Sequence, residues 1–130
     1  MRRSLKEITV LLLDQMFSST AIGPMEVFRH AGSLWNSLTG TQLMPRFRVN
    51  TASADGRPVN RDGGIQIRPN VAIKDVGKTD LIFVPTTGLS IDDVVERNAP
   101  IVPWLKRHSS RGVAVASVLW CGPGCRSWFA

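Results

Sequence analysis

The most constraining feature of the sequence is a short apolar run, Leu81–Val84, which is followed by Pro85, Thr86, Thr87 and Gly88. A continuous apolar run of this length is typical of a strand that is buried on both faces, as in a parallel sheet with helices on each side. In open α/β sheets, ligands bind just beyond the carboxyl ends of the strands. The residues from Pro85 to Gly88 therefore form a candidate ligand-binding turn, although most strand-to-helix turns carry no chemistry.

Length and composition favour one soluble domain. The chain has 130 residues, of which 43% are hydrophobic, and this is enough to build a single core. No apolar run approaches the ~20 residues that a membrane-spanning helix needs, and the charged start of the chain does not resemble a signal peptide. We therefore expect a cytoplasmic protein with no membrane association. The two cysteines, Cys121 and Cys125, are too close together to cross-link the fold.

The basic residues are spread along the sequence. The net charge is +6, which raises the question of nucleic acid binding. However, no predicted helix carries the arginines and lysines as a stripe, and aromatic residues do not alternate with them. We interpret them as solvated surface residues and do not expect this segment to bind DNA directly.

The order of the predicted elements indicates a doubly wound α/β fold. Apolar runs and turn signals predict four main strands, Ile8–Leu13, Phe47–Ser53, Leu81–Val84 and Gly112–Val118. Helices are predicted between them, from Pro24 to Thr39, from Ser90 to Arg97 and from Ile101 to His108. Residues 58–67 look like a small β-excursion at the edge of the sheet, because prolines flank them. The fold class is therefore a mostly parallel, flavodoxin-like three-layer sandwich.

The first long helix is predicted to pack on the sheet. Its apolar residues recur at helical spacing and give a wide apolar face. The residues of that face are Met25, Val27, Phe28, Ala31, Gly32, Leu34, Trp35 and Leu38. The preceding residues, Ser18 to Thr20, are candidate helix caps.

The order of these motifs resembles the ThiJ/PfpI superfamily, which has the class I glutamine-amidotransferase-like fold. It is most similar to the N-terminal domains of GlxA-type regulators of the AraC family. The segments that carry the resemblance are Ile8–Asp14, Gly23–Arg29, Ser53–Val59, Gly64–Ile67, Asp80–Pro85 and Gly112–Val118. No single motif is specific, but their order and spacing together are, and they cover roughly residues 7 to 118.

The resemblance implies a site with three parts. A glutamate on the helix after the first strand corresponds to Glu26, and backbone amides after the central strand fall on Pro85 to Gly88. A cysteine on a tight turn is expected after Val118, where a helix N-terminus lowers the pKa of a thiol. Amides near the sulfur could hold a carboxylate or an oxyanion. From the residues alone, Glu26 could equally be a carboxylate that the helix dipole favours.

The sequence departs from this family pattern in two places. Thr86 and Thr87 occupy a turn in which glycines are common, and threonine tolerates a left-handed backbone poorly, so we expect an altered amide cradle. After Val118 the sequence continues as Leu-Trp-Cys-Gly-Pro-Gly, which cannot form the expected turn and helix. Cys121 lies about two residues beyond the expected position. We therefore predict no catalytic residue, and a ligand-binding set of Asp14, Glu26, Pro85, Thr86, Thr87, Gly88 and Cys121.

A shift of reading frame would explain the C-terminal residues. If the codons of Leu119 to Cys121 are CTG-TGG-TGC, a one-base shift makes them read Cys-Gly-Ala, as the family turn requires. We interpret residues 1–118 as a partial domain, incomplete at its C-terminus, and residues 119–130 as an aberrant tail. A naturally divergent terminus is the alternative, and the coding DNA distinguishes the two. A chain cut off in this way would have low stability or would self-associate.

Two functions follow from the resemblance. The first is a non-catalytic, ligand-sensing domain of a transcriptional regulator, with a small amide- or amine-type metabolite as its effector. The second is a cysteine enzyme, such as an isocyanide hydratase, amidase or deglycase, without its nucleophile turn. We expect the first, with no cofactor and no metal, since a single Cys-x-x-x-Cys pair is a weak metal signal. The resemblance also implies a homodimer, and DNA binding only through a helix-turn-helix domain that this chain lacks.

Overall fold

A five-stranded parallel sheet is the centre of the computed structural model, which describes residues 4–60, 64–87 and 91–118. The strands are β1 (Lys6–Leu11), β2 (Phe47–Ser53), β3 (Val59–Asn60), β4 (Gln66–Ile67), β5 (Val71–Ala72), β6 (Leu81–Val84) and β7 (Ala114–Ser117). The helices are α1 (Ser19–His30), α2 (Leu34–Leu38), α3 (Ile91–Arg97) and α4 (Ile101–Ser110), and a short 3₁₀ turn covers Ile73–Asp75. The predicted α/β class with a mostly parallel sheet is confirmed.

The strand order places a topological switch point between β1 and β6. The main sheet runs β5-β2-β1-β6-β7, and its paired strands are all parallel. The chain thus moves outward from β1 to β2 on one side and returns to β6 on the other. Ligands of open α/β sheets bind at such a point, outside the carboxyl ends of the strands. The fold therefore directs attention to the residues that follow β1 and β6.

The central strand β1 is buried because it has a neighbour on both sides and helices over both faces. Ile8, Val10 and Leu11 are almost fully buried, and the apolar run continues in the same state through Leu12 and Leu13, beyond the end of the strand. Burying a side chain of this size contributes ~1.5–3 kcal/mol. The summed free energy of burying these side chains explains why this run, together with Leu81–Val84, forms the centre of the fold.

The β-excursion forms a separate hairpin. Strands β3 and β4 pair with each other in antiparallel fashion, and the chain then adds β5 to the edge of the main sheet beside β2. The strand β5 was not predicted, because two residues give too short a pattern to recognise. The excursion was expected at an edge of the sheet, but β3 and β4 form a two-stranded sheet of their own, and only β5 lies at the edge of the main sheet.

The first predicted helix is interrupted, and half of its predicted apolar face is exposed. It begins at Ser19, so Pro24 lies inside it, and it ends at His30. Gly32 then adopts a left-handed conformation with φ +78°, and its carbonyl oxygen accepts a hydrogen bond from the Met44 amide at 2.7 Å. Of the predicted face, Met25 and Phe28 pack against the core.

The remaining apolar residues of this region are a correction to the sequence prediction. Trp35 and Leu38 are each 73% exposed, and Val27 and Leu34 are also more than half exposed. Helical spacing predicted Met25 and Phe28 correctly but not Val27, and beyond them the turn at Gly32 redirects the chain. The short α2 therefore does not lie on the sheet with α1.

Strand β7 is also less buried than predicted. Its first residue, Ala114, is exposed, the next three are half-buried, and Val118 is 43% exposed. It pairs with β6 along its length and lies at the edge of the main sheet as described. None of the helices in the described part of the chain combines the length and apolar character that crossing a bilayer requires.

Candidate functional site

Three strand ends meet at the switch point. The segment after β1 contacts the segment after β6, because the Phe17 amide donates to the Thr86 carbonyl oxygen at 2.8 Å and Met16 forms an isolated antiparallel bridge with Thr87. The Thr86 hydroxyl donates to the Val118 carbonyl oxygen after β7. The fold therefore brings together residues that are far apart in the sequence, and this is the candidate site.

The turn after β6 is closed by a threonine of α1. The backbone amide of Thr86 donates to Oγ1 of Thr20 at 3.0 Å, and the same hydroxyl donates to the Phe17 carbonyl oxygen at 2.7 Å. The Thr86 amide is one of the backbone amides of this turn that could stabilise an oxyanion or carboxylate, and it is already bonded within the protein. The altered amide cradle stays a prediction, since Gly88 lies outside the described residues.

Backbone strain in the described part of this site lies in the turn after β1. Among the described residues, neither Thr86 nor Thr87 has a left-handed backbone; the non-glycine residue in that region is Gln15, with φ 65°. Gln15 lies in the turn after β1, where a non-glycine residue in this conformation costs of order 1–3 kcal/mol. Among the described residues of this site, the left-handed backbone is therefore at Gln15 and not at Thr86 or Thr87.

Asp14 follows β1 and is half-exposed at the same edge of the sheet. Its backbone amide donates to Oδ1 of Asn98 at 3.3 Å, and Nδ2 of Asn98 donates to the Val94 carbonyl oxygen at 2.8 Å. Asn98 is only 3% exposed, so its carboxamide is a buried support that joins the end of α3 to the turn after β1. No hydrogen bond or ion pair joins the Asp14 carboxylate to another residue in the described ranges.

Glu26 lies away from this group. It is six residues after Thr20 on α1, which corresponds to ~9 Å along a helix axis, and its side chain is exposed. The Glu26 carboxylate forms no hydrogen bond or ion pair with any other residue in the described ranges. The residue of α1 that the structure places at the site is Thr20.

The remaining predicted site residues divide into two groups. Pro85 is among the most deeply buried side chains, so it shapes the turn but offers little surface to a ligand. Gly88 and Cys121 lie outside the described residues. Within the described ranges no group of three or more His, Cys, Asp or Glu side chains could hold a metal ion.

Sequence reasoning missed Thr20 and Asn98 as site residues. The signal for Thr20 was the run Ser18 to Thr20 before an apolar helix, which was interpreted as a set of capping residues. Ser18 is the N-cap but makes no side-chain capping hydrogen bond, and the Thr20 hydroxyl bonds to another segment instead. Asn98 carried no signal, because a single asparagine at a helix end is ordinary in a sequence.

Comparison with known proteins identifies the family of this arrangement. The sequence matches the model of the DJ-1/PfpI family over residues 6–122. None of the curated proteins compared with the chain matches it significantly.

Several solved structures resemble the fold. A protein from Vibrio parahaemolyticus described as a candidate transcriptional regulator has a TM-score of 0.67 and 14% identity, covering 88% of this chain and 56% of its own. A DJ-1 superfamily protein from Agrobacterium tumefaciens has a TM-score of 0.60 and 20% identity, with coverage of 87% and 53%. An AraC family transcriptional regulator from Pseudomonas putida has a TM-score of 0.58 and 19% identity, with coverage of 86% and 55%. The chain thus spans about half the length of these structures.

Proposed function

We propose that this chain, which belongs to the DJ-1/PfpI family, is the ligand-sensing and non-catalytic domain of a GlxA-type transcriptional regulator of the AraC family. The observation that carries the proposal is the hydrogen bond from the Thr86 amide to the Thr20 hydroxyl. An acyl-transfer or hydratase site needs free donors that stabilise developing negative charge, and a donor already bonded within the protein does not supply this. A sensing site needs only a defined surface, which the bonded turn supplies.

The proposed effector is a small amide- or amine-type metabolite at the switch point. Asp14 is the acidic side chain that the described structure brings to this edge, and its backbone is fixed by the buried Asn98. A carboxylate held in this way suits an amine or amide N–H as its partner. Thr87 pairs through its backbone with Met16, two residues after Asp14. We propose its hydroxyl as a further polar contact of the kind that sets specificity.

The effector proposal is tested by thermal shift with a panel of small amines, amides and matched carboxylic acids. A ligand present at a hundred times its Kd stabilises the folded state by ~2.7 kcal/mol. We expect an amine or amide to raise the melting temperature of the wild-type chain and of Asp75→Asn, an exposed control. The same ligand should lose most of its effect on Asp14→Asn. Equal stabilisation of both variants would refute the role of Asp14.

The non-catalytic proposal has its own test. The purified chain is incubated with an aromatic isocyanide, a dicarbonyl such as methylglyoxal, and glutamine, with and without a thiol-alkylating reagent. We expect no turnover above the protein-free rate. Turnover that alkylation abolishes would favour the cysteine-enzyme alternative.

We propose further that the regulator is a cytoplasmic homodimer and contacts DNA through a helix-turn-helix domain outside residues 1–130. The exposed apolar side chains around α2 support self-association, since large exposed apolar patches mark interaction sites. They are Val27, Leu34, Trp35, Leu38, Leu43 and Met44. Light scattering on Trp35→Ser, with Ile65→Ser on the hairpin as the control, is expected to show a monomer for the first variant only. A wild-type monomer would contradict the proposal.

A further inference from the structure

A cavity of about 210 Å³ lies on the opposite side of α1 from Thr20, between that helix and the β-excursion. It shares no lining residue with the switch-point site. Its lining residues are Leu12, Ala21, Ile22, Met25, Arg29, Thr51, Ile67, Arg68 and Asn70. It is smaller than the ~300–1,000 Å³ of drug-sized pockets, and this restricts a ligand to a small metabolite.

The floor of the cavity is apolar and well ordered by packing. Leu12 and Ala21 are almost fully buried, and Met25 and Ile67 pack against the core from the helix and the hairpin. A hydrocarbon group that binds in an apolar cavity of this kind contributes ~25 cal/mol to the binding free energy for each Å² of apolar area removed from water. The floor therefore selects for an aliphatic part of a ligand.

Among its lining residues that the structure describes, the cavity carries two positive charges and no carboxylate. Arg29 from α1 and Arg68 from the segment after β4 both line it, and neither forms an ion pair with a residue in the described ranges. By contrast, Arg48 pairs with Glu7 at 2.9 Å elsewhere on the surface. Two guanidinium groups at one cavity create a local positive potential and can bind a carboxylate through paired N–H donors.

Asn70 adds a neutral donor whose orientation is fixed. Its Oδ1 accepts hydrogen bonds from the Thr51 backbone amide at 2.9 Å and from the Thr51 hydroxyl at 3.1 Å. The backbone amide of Asn70 donates to the same hydroxyl at 3.0 Å. With the oxygen held in this way, the Nδ2 group is directed away from Thr51. No hydrogen bond joins this group to another described residue, and Asn70 lines the cavity, so Nδ2 is a candidate donor to a ligand there.

We infer that this cavity is a second binding site, for a small aliphatic monocarboxylate. The hydrocarbon part lies on the floor made by Leu12, Ala21 and Met25, and the carboxylate lies between Arg29 and Arg68. Because the arginines are exposed, binding should weaken as ionic strength rises. The inference does not depend on the proposed effector at Asp14, which is a different ligand class on the other side of α1.

The test is calorimetric titration of the full 130-residue chain with isocaproate, with isocaproamide and inorganic phosphate as comparison probes. The inference expects isocaproate to bind at least tenfold more tightly than either comparison probe. The amide lacks the charge and phosphate lacks the aliphatic part. Equal binding of the amide and the acid, or no binding of the acid, would overturn the inference.

Variants separate this site from general surface charge. Arg29→Met and Arg68→Met should each weaken isocaproate binding roughly tenfold, since a hydrogen bond to a charged group is lost. Arg29→Lys keeps the charge without the paired donors and should be intermediate. Arg107→Met, an exposed arginine of α4, and Asp14→Asn should bind as wild type. If both methionine variants bind as tightly as Arg107→Met, the site is wrong, whatever Asp14→Asn shows for the amine effector.

Discussion

Replacing Thr20 by valine tests whether one hydroxyl holds the candidate site closed. The change keeps the shape of the side chain and removes the acceptor of the Thr86 amide, whose bond spans 66 residues of sequence. It also removes a donor to the Phe17 carbonyl oxygen, which keeps the bond from the Thr20 backbone amide at 2.9 Å. The loss is therefore concentrated on Thr86.

The magnitude follows from what Thr86 loses. A buried donor left without a partner costs ~1–3 kcal/mol, and the Thr86 amide is only partly buried, so water recovers some of this. We expect Thr20→Val to lower the free energy of unfolding by ~1–2 kcal/mol. With an unfolding entropy near 2.1 cal/mol/K per residue, this lowers the melting temperature by ~4–7 °C.

Urea denaturation measures the free energy, and amide hydrogen exchange reports Thr86 directly. Thr20→Ser is the matched control, because serine keeps the oxygen and should stay close to wild type. The exchange of the Thr86 amide should accelerate in the valine variant and not in the serine variant. If the two variants unfold alike and the Thr86 amide exchanges at the wild-type rate in both, the Thr20 hydroxyl does not close this turn.

Three further predictions concern the supports of the fold. Gly32→Ala should lower the free energy of unfolding, measured by urea denaturation, by more than roughly 2 kcal/mol. At Gly32 φ is +78°, and a Cβ would lie 1.9 Å from a backbone oxygen. The figure combines ~1–2 kcal/mol of backbone strain with the cost of this clash. Gly40→Ala is its control, since φ is +67° but the space is open, so it should cost only the backbone strain; equal losses would refute the steric argument. Asn98→Ala should cost ~1–3 kcal/mol by the same measurement, because it leaves buried partners unbonded. The backbone amide of Glu7, which donates to Asp80, lowers the pKa of Asp80. The contribution of this hydrogen bond to stability is therefore complete above the unfolded-state pKa of ~3.9, and it is lost as the pH falls through the lower pKa of the folded state. Asp80→Asn should therefore be less stable than wild type at pH 7, and the difference should shrink toward pH 3.

The central strands were predictable because their signal is local. Four consecutive apolar residues at Leu81–Val84 place apolar side chains on both faces of a strand, so neither face favours contact with water. The run therefore predicts a strand that is covered on both faces. Ile8 to Leu13 carries the same signal, and the buried run extends through Leu13 even though strand pairing ends at Leu11. Hydrophobic burial thus determined which segments form the centre before any contact was known.

The helix after β1 shows where a local signal fails. Helical spacing identified apolar positions from Met25 to Leu38, but spacing does not state whether another element covers them. The left-handed backbone of Gly32 changes the direction of the chain, and the Gly32 carbonyl oxygen accepts a hydrogen bond from the Met44 amide. Trp35 is left exposed to solvent. The covering surface is a property of the whole fold, and so the exposed half of the face could not be predicted.

What the sequence determined by itself was therefore the parallel-sheet architecture and the edge of the sheet at which a ligand would bind, because apolar runs and turn residues act over short distances. Only the tertiary structure decided which side chains meet at that edge. Thr20 is the residue of α1 that bonds to the turn after β6, because strand pairing between β1 and β6 sets the positions of segments 66 residues apart. The role of Glu26 stays a prediction. Hydrogen bonds between such segments leave no pattern in the sequence, since each partner is an ordinary polar residue until the sheet brings it to the other.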